Sequence, residues 1–253
     1  MQPPPILLSG YIYKMAVDAY TQHIFTSLWN TYAPWLKKED TQGALNDTKA
    51  LDEFFFVILG GYGISYEENL SAFKVLKRKG YMSHSLYNDV VECPSVINKV
   101  YKELSTPQFY PLTNKGERRR YRFTQKKARE FVCANYWLLQ ECQWDILKKL
   151  KEINQECQRE WLCNCPGIGI KSASWLLRNI GINEDCAILD IHILRFLRRI
   201  GFDSPNHMTD SWYLSIEKQM QHICQSLGIP LGKMDYLLWV LGRQGFLSTI
   251  RGD

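Results

Sequence analysis

Residues 162–181, LCNCPGIGIKSASWLLRNIG, place a proline and two glycines between two helical patterns. Pro166 discourages the first helix from continuing, and Gly167 and Gly169 permit a tight turn and the close approach of another backbone. The next amides, including that of Ile170, lie at a helix N-terminus, where unpaired N–H groups and a partial positive charge attract anions. The stretch predicts a helix-hairpin-helix that holds one DNA phosphate, although a plain connection between two helices would use the same glycines.

The second helical pattern begins with a lysine whose charge is poorly placed. Lys171 falls in the first turn of the helix, whereas cations are favoured at the opposite end of the helix dipole. The position favours the neutral amine, and partial burial would favour it further. A neutral lysine can attack an electrophilic carbon and form a Schiff base. An exposed lysine that tolerates a small electrostatic cost is the alternative for Lys171 considered by itself.

An aspartate follows this lysine after nineteen residues. Asp190 comes after the apolar tripeptide AIL and before another helical pattern, so it is well placed as the N-cap of that helix. The stretch INEDCAI, residues 182–188, brings the chain back, and the carboxylate could face Lys171. The pair therefore indicates a lysine nucleophile assisted by a carboxylate.

Helical periodicity recurs along the chain, while the alternation typical of strands is scarce. Glycines follow several helical runs as stop signals, and loops are expected at 34–46 and 106–116. The sequence predicts an all-α fold of about ten helices, at residues 11–29, 48–59, 67–78, 95–104, 123–142, 144–163, 171–179, 191–200, 209–227 and 231–246.

The composition is ordinary for a globular protein, with 45% hydrophobic and 23% charged residues. No apolar run approaches the roughly 18 to 20 residues that span a bilayer, and MQPPPILLSGYIYKM, residues 1–15, lacks the basic region of a signal peptide. The eight cysteines are therefore expected to be reduced thiols in a cytoplasmic protein without membrane association. The sequence contains no P-loop, so nucleotide hydrolysis is not expected.

Three cysteines and a histidine raise the question of a metal site. Cys157, Cys163 and Cys165 precede His192, but their C-x5-C-x-C spacing lacks the C-x2-C pair that zinc sites use. We therefore expect no metal cofactor and no organic cofactor.

The net charge of +5 is a mild excess that is unevenly distributed. Residues 116–129, GERRRYRFTQKKAR, carry seven basic side chains and a single acid, Glu117. One interpretation is a phosphate-binding patch, with Arg119, Arg120, Lys126 and Lys127 as candidate DNA contacts. A solvated helix face accounts for the composition equally well.

The hairpin, the lysine and the aspartate together resemble the helix-hairpin-helix superfamily of DNA glycosylases. The segments PGIGIKSASWLLRNIG, at 166–181, and AILDIHILRFL, at 187–197, look most like the archaeal-type, second class of 8-oxoguanine DNA glycosylase. Weaker support comes from YRFTQKKAREFV, at 121–132, where Thr124 or Gln125 stands in place of a common asparagine. Further support comes from GIPLGKMDYLLWVLGRQGFL, at 228–247.

This resemblance implies a fold and a mechanism. Two helical domains, residues 1–50 with 190–253 and residues 51–189, would bind double-stranded DNA between them, and the enzyme would flip one modified base out of the duplex. Lys171 would attack C1′ of the flipped nucleotide, Asp190 would stabilise positive charge on the sugar, and β-elimination would nick the strand. The family hairpin usually holds a monovalent cation, and the protein is expected to act as a monomer.

The resemblance also implies a base pocket. Asp235 and Trp239, four residues apart on the last helix, match pocket positions, and Phe123 matches the other stacking face. A capped or solvated Asp235 and a core Trp239 are the alternatives.

The C-terminal end of the sequence departs from the family. Ser248 stands about where the second class has a lysine that contributes to base recognition, and five more residues follow. The expected substrate is 8-oxoguanine, with a different modified base, such as a hypermodified base of foreign phage DNA, as the alternative. A non-catalytic hairpin protein that binds DNA is a further alternative, but it would need neither Lys171 nor Asp190.

Overall fold

The computed structural model describes residues 6–36, 47–88, 93–203 and 209–248, with side chains from residue 19 onwards. Within these residues the protein is all-α, as expected, and the β pairing seen there is an isolated bridge between Phe109 and Arg119. The helices are α1 (Ile6–Tyr32), α2 (Asp47–Leu59), α3 (Tyr66–Arg78), α4 (Cys93–Ser105), α5 (Thr124–Cys142), α6 (Ile146–Glu152), α7 (Gln155–Cys163), α8 (Ile170–Asn179), α9 (Ile191–Arg199), α10 (Asp210–Ser226) and α11 (Leu231–Arg243).

The chain divides into two compact units. The terminal unit comprises residues 1–42 and 183–253, and the central unit comprises residues 43–182. The sequence placed these divisions at 50 and 190 instead. The difference arises because all of α2 packs within the central unit, and because residues 183–189 bond to α10 and α11 of the terminal unit.

The core of the central unit is built around α2, which contacts α3, α5, α6 and α8. Phe54, Phe55 and Phe56 are consecutive and buried, so they face different neighbours. The ring of Phe55 lies 5.6 Å from that of Phe131 on α5. Burial of each such side chain contributes about 1.5–3 kcal/mol, so α2 supplies a large part of the hydrophobic stabilisation.

A half-buried carboxylate also joins α2 to α8. Asn179 Nδ2 donates a 2.7 Å hydrogen bond to Glu53 Oε1. Burial raises the pKa of Glu53, although hydrogen bonds from Asn179 and Trp175 oppose the change. This contact holds the C-terminal end of α8, and therefore the direction of the helix that begins at the hairpin.

The prediction of one helix over 144–163 is wrong, because the chain breaks between α6 and α7. Ile153 and Asn154 adopt ψ angles of 135° and 137°, which are outside the helical range. The Gln158 side chain donates a 2.8 Å hydrogen bond to the Leu150 carbonyl, which is near the end of α6. A side chain thus takes the place of a helical amide, and the continuous periodicity does not reveal the break.

The terminal unit packs α9 against α11, and α1 against α10 and α11. Phe25 of α1 and Phe196 of α9 are buried together, with ring centroids 6.4 Å apart. The last helix ends at Arg243, three residues before the predicted end, and a 3-10 turn follows at Phe246–Ser248. In the described part of the chain, no helix is both long and apolar enough to cross a membrane.

The two expected loops have different outcomes. Residues 106–116 form a loop, as predicted. For the loop expected at 34–46, residues 37–46 lie outside the described residues. Its first two residues belong to a 3-10 turn at Ala33–Trp35.

Candidate functional site

The predicted hairpin is present between α7 and α8. Gly167 adopts a φ of 86°, in the left-handed region that favours glycine. A Cβ atom at this position would lie only 3.0 Å from Cβ of Glu130 on α5. The Ile168 amide donates to the Cys165 carbonyl at 3.1 Å, and the side chains of Ile168 and Cys165 are buried. The turn is therefore anchored to the core on one side while Gly167 and Gly169 remain exposed on the other.

Gly169 has a different role from Gly167. Its φ of −107° is available to any residue, and it is the N-cap of α8. A Cβ atom there would meet no protein atom within 4 Å. The glycine therefore leaves open space beside the first amides of α8, which begins at the half-buried Ile170. This is space that a phosphate would need in order to approach those amides.

Lys171 is the second residue of α8, in the first helical turn as predicted, and is half-buried. The opposite face of α8 is fixed in the core through Ala173, Leu176 and Leu177. Ser174 Oγ also donates a 2.9 Å hydrogen bond to the Ile170 carbonyl. The backbone that carries the lysine is thus held firmly.

Asp190 caps α9, which confirms the structural role predicted for it. Its Oδ1 atom accepts hydrogen bonds from the amides of His192, at 2.8 Å, and Ile193, at 3.0 Å. Neither of these bonds uses Oδ2. The carboxylate is half-buried, so the cap fixes its orientation while part of the side chain remains accessible.

The segment before Asp190 is held by side chains that sequence reasoning did not assign to this role. The Ala187 amide donates to Glu217 Oε1 at 2.8 Å, and the Ile188 amide donates to Asp235 Oδ1 at 2.9 Å. The Tyr213 hydroxyl donates to the Ala187 carbonyl at 2.5 Å. Glu217 and Tyr213 lie in the amphipathic pattern of α10, and nothing in that pattern distinguishes them from ordinary core-facing residues.

Asp235, expected to line a base pocket, is instead enclosed in the interior of the terminal unit. Its side chain is 0% exposed, and its carboxylate holds the backbone before Asp190. Burial and the negative charge of Asp235 raise the pKa of the neighbouring Cys224 thiol to about 12. A fully enclosed carboxylate offers no edge to a ligand, so the burial of Asp235 argues against a contact with the base.

Trp239 and Phe123 remain accessible. Trp239 is half-buried and stacks with Tyr236 at 5.9 Å, while Arg243 lies 5.1 Å from its ring. Phe123 is 48% exposed and adopts a left-handed conformation with φ 58° and ψ 41°. Such a conformation costs a non-glycine residue about 1 kcal/mol or more, and strain of this kind is common at functional sites.

The turn that carries Phe123 is fixed from both sides. The Arg122 amide donates to Glu68 Oε1 at 2.9 Å, and Arg122 Nη1 donates to the Gly63 carbonyl at 2.7 Å. The Tyr121 hydroxyl donates to the Leu59 carbonyl at 2.6 Å. These bonds maintain the strained backbone and leave the Phe123 ring at the surface.

The predicted basic patch separates into exposed and internal residues. Arg120 is exposed, and the Lys126 side chain is 74% exposed and 3.7 Å from Glu130. Arg119 is half-buried and donates to the Leu112 carbonyl at 3.2 Å. Lys127 is only 7% exposed, and its Nζ atom bonds to the Ile58 carbonyl at 2.9 Å. Lys127 is thus a structural cation whose ammonium is not available to a phosphate.

The described cysteines are free thiols. Burial is the main cause of the raised pKa of Cys165, which is enclosed beside the hairpin. Among the described residues, no three His, Cys, Asp or Glu side chains are grouped so that they could hold a metal ion.

Comparison with known proteins gives consistent results. Residues 88–229 match the model of a family described as 8-oxoguanine DNA glycosylase. An 8-oxoguanine DNA glycosylase/AP lyase of Saccharolobus islandicus is 36% identical over 123 residues, which cover 47% of this chain and 58% of that protein. A protein of the same description from Thermotoga petrophila is 38% identical over 137 residues, or 52% of this chain and 63% of the relative. The chain thus spans about three fifths of the length of these curated relatives.

Solved structures match over a longer range. The 8-oxoguanine DNA glycosylase of Methanocaldococcus jannaschii superposes with a TM-score of 0.64 at 24% identity, covering 89% of this chain and 94% of that one. The same enzyme in complex with a 15mer DNA containing 8-oxoguanine gives a TM-score of 0.57 at 25% identity, covering 79% of this chain and 82% of that one.

Proposed function

The chain belongs to the 8-oxoguanine DNA glycosylase family, and on that premise we propose that it excises a modified base, 8-oxoguanine first of all, from double-stranded DNA and then nicks the strand. The observation that carries the proposal is that each of the two candidate catalytic residues lies on a fixed backbone within its own unit. Lys171 lies in the first turn of α8, two residues after the open Gly169, and Asp190 lies at the cap of α9. A DNA-binding protein without catalytic activity would have no need of this pair.

The hairpin anchors the DNA in this proposal. A phosphate beside Gly167 and Gly169 would accept hydrogen bonds from the amides at the start of α8, including that of Ile170. The positive end of the helix dipole favours the anion, and a monovalent cation at the hairpin would complete the contact. Arg120 and Lys126 are exposed and would contact further phosphates, with Arg119 shaping the loop that carries Arg120.

Lys171 and Asp190 perform the chemistry. The neutral Nζ atom of Lys171 attacks C1′ of the flipped nucleotide, the bond from C1′ to the base breaks, and the base leaves with its electron pair and takes up a proton. Asp190 stabilises the positive charge that develops on the sugar as the base departs. The adduct, after its nitrogen loses a proton, opens by cleavage of the C1′–O4′ bond, with a proton going to O4′, and this gives the protonated Schiff base. Loss of a proton from C2′ then drives cleavage of the C3′–O bond, the 3′ phosphate leaves, and the strand is nicked.

No cofactor is needed in this scheme, because the lysine itself supplies the nucleophile. We further propose that the protein acts as a monomer and that Phe123 and Trp239 provide aromatic faces for the base. Both are accessible aromatic rings, and stacking on aromatic side chains is a common way to hold a flipped base.

A different modified base is the second candidate substrate. Ser248 stands about where the second class of the family has a lysine that contributes to base recognition. The exposed Ser248 hydroxyl bonds to the Gly245 carbonyl at 2.5 Å, so its interaction is local. Excision of a base other than 8-oxoguanine, by the same lysine chemistry, would account for this difference.

Borohydride trapping tests the mechanism. Reduction of the Schiff base should yield a covalent protein–DNA adduct with native protein, and Lys171→Gln should abolish it. Lys151→Gln, which removes an exposed lysine from α6 in the same unit, is the matched control and should trap normally. A Lys171→Gln protein that traps like native would assign the nucleophile to another residue.

A panel of duplexes, each with one modified base, tests the substrate. Strand analysis after incubation should show release and nicking with 8-oxoguanine. Release of another base in preference would support the second candidate, and no release from any duplex would contradict the proposed activity.

A further inference from the structure

The four residues before Asp190 form a buried segment without regular secondary structure. Cys186, Ala187, Ile188 and Leu189 are all buried, and the segment belongs to no helix or strand. Buried backbone N–H groups need hydrogen-bond partners, which neither a helix nor a sheet supplies here. The position of Asp190 at the end of this segment depends on whatever holds these groups.

Two carboxylates from different helices hold consecutive amides of the segment. Glu217 of α10 accepts from the Ala187 amide at 2.8 Å, and Asp235 of α11 accepts from the Ile188 amide at 2.9 Å. Their side chains are 7% and 0% exposed, respectively. Tyr213, one turn before Glu217 on α10, donates to the Ala187 carbonyl, which belongs to the same peptide group as the Ile188 amide that Asp235 accepts from.

Buried charge is an expensive way to satisfy an amide, because a carboxylate loses its hydration when it enters the interior. A hydrogen bond between an amide and a carboxylate is short and directional, so it fixes the peptide more firmly than apolar packing. The two carboxylates approach along different helices, so together they restrict both the position and the rotation of the segment. Asp190 follows Ile188 by two residues, a distance over which the chain has little freedom.

We propose that Glu217 and Asp235 are positioning residues for Asp190, with Tyr213 as the partner of Asp235 on the peptide group between Ala187 and Ile188. They hold the 186–189 segment so that the Asp190 carboxylate is directed at the charge that develops on the sugar. This inference rests on the proposed glycosylase function and assigns Asp235 a task other than base recognition.

Replacement of Asp235 tests the proposal through separate steps of the reaction. Asp235→Leu leaves the Ile188 amide without its acceptor, whereas Asp235→Asn keeps a carbonyl oxygen at the same place. We expect base release in a single turnover to fall at least about tenfold with Leu and to stay within about threefold of native with Asn. Duplex affinity and the nicking of a duplex with a preformed abasic site should be retained by both, because these depend on the hairpin and Lys171.

A control distinguishes positioning from loss of stability. Met220→Ala creates a cavity in the same unit, on α10, without removing any of the three hydrogen bonds. It should lower the melting temperature yet keep native base release below the melting range. If Asp235→Leu does not fold, Tyr213→Phe takes its place, because it removes a single hydroxyl. We then expect a fall of about threefold.

The outcomes separate this inference from the proposed function. If the native protein releases a base, Asp190→Asn slows that release and Asp235→Leu does not, the positioning role is refuted while the function stands. The same conclusion follows if Met220→Ala slows release as much as Asp235→Leu. If the native protein releases no base from any duplex, the function itself fails, and the positioning role fails with it.

Discussion

The two glycines of the hairpin should respond to the same substitution in different ways. Gly167→Ala places a side chain at a φ of 86°, which costs about 1–2 kcal/mol, and its Cβ atom would lie 3.0 Å from Glu130 Cβ. In a chain of this size each kcal/mol shifts the melting temperature by about 2–4 °C, so we expect a decrease of about 2–8 °C. Gly169→Ala adds a methyl group in open space at the N-cap, which costs about 0.5 kcal/mol and shifts melting by only about 1–2 °C.

DNA affinity should show the opposite order. The added methyl group at Gly169 would occupy space through which a phosphate approaches the α8 amides. Loss of one hydrogen bond to a charged group costs about 1.5–3 kcal/mol, so the Kd should rise about 10- to 150-fold. Fluorescence anisotropy with a labelled duplex at one fixed salt concentration measures this change, and thermal melting measures stability.

Gly80→Ala provides the matched control for the strain. Gly80 has a φ of 78° and open surroundings after α3, so alanine incurs the backbone cost there at a distance from the hairpin along the chain. Its melting temperature should fall and its duplex affinity should not change. A Gly169→Ala protein that binds the duplex as tightly as native would refute the placement of a phosphate at this end of α8.

Three other predictions concern charged residues. Asp190→Asn retains a capping oxygen but loses the negative charge, so single-turnover base release should slow at least about tenfold while duplex affinity stays native, and unchanged release would remove Asp190 from the mechanism. Joint replacement of Arg120 and Lys126 by alanine should make the plot of log affinity against log salt shallower by about 0.9 for each phosphate that the protein no longer neutralises. Lys127→Met should reduce stability without changing that slope. A slope that changes with Lys127→Met and not with the double replacement would contradict the division into exposed phosphate contacts and an internal lysine. Glu53→Gln should raise the free energy of unfolding at pH 8, because the raised pKa of Glu53 means that its ionised form opposes folding above the folded-state pKa. Urea unfolding at a series of pH values measures this gain, which should disappear as the pH approaches 4.5, the ordinary pKa of a glutamate. A gain that does not vary with pH would refute ionisation of Glu53 as its cause.

The helices could be predicted because their determinants are local. An apolar stripe with a glycine after it located α8 to within one residue of the observed start, and the Asp190 cap followed from its place before a helical pattern. The break at Ile153 and Asn154 could not be found this way. It is stabilised by the Gln158 side chain, which replaces a helical bond, and the apolar spacing is the same on both sides.

The environments of charged side chains could not be predicted, because they depend on contacts between distant segments. Lys127 stands among exposed basic residues in the sequence, but its ammonium reaches the Ile58 carbonyl in the interior. Asp235 shares a helix face with Trp239, as expected, but the side chain is enclosed where it meets the Ile188 amide. Spacing on a helix specifies which side chains share a face, and it does not specify whether the face meets solvent or backbone.

These buried charges follow a common physical rule. Irregular backbone beside the candidate functional residues cannot satisfy its own polar groups, so charged side chains from neighbouring helices do so. Glu68 accepts a hydrogen bond from the Arg122 amide, next to the strained Phe123. Asp235 accepts one from the Ile188 amide, two residues before Asp190. A catalytic group on an irregular segment needs such support to hold one geometry, because each of these bonds removes a freedom that packing alone would leave. A charged residue beside a functional motif therefore has two possible partners, the ligand or the irregular backbone that carries the motif. For Asp235 the enclosed carboxylate and its bond to the Ile188 amide favour the backbone.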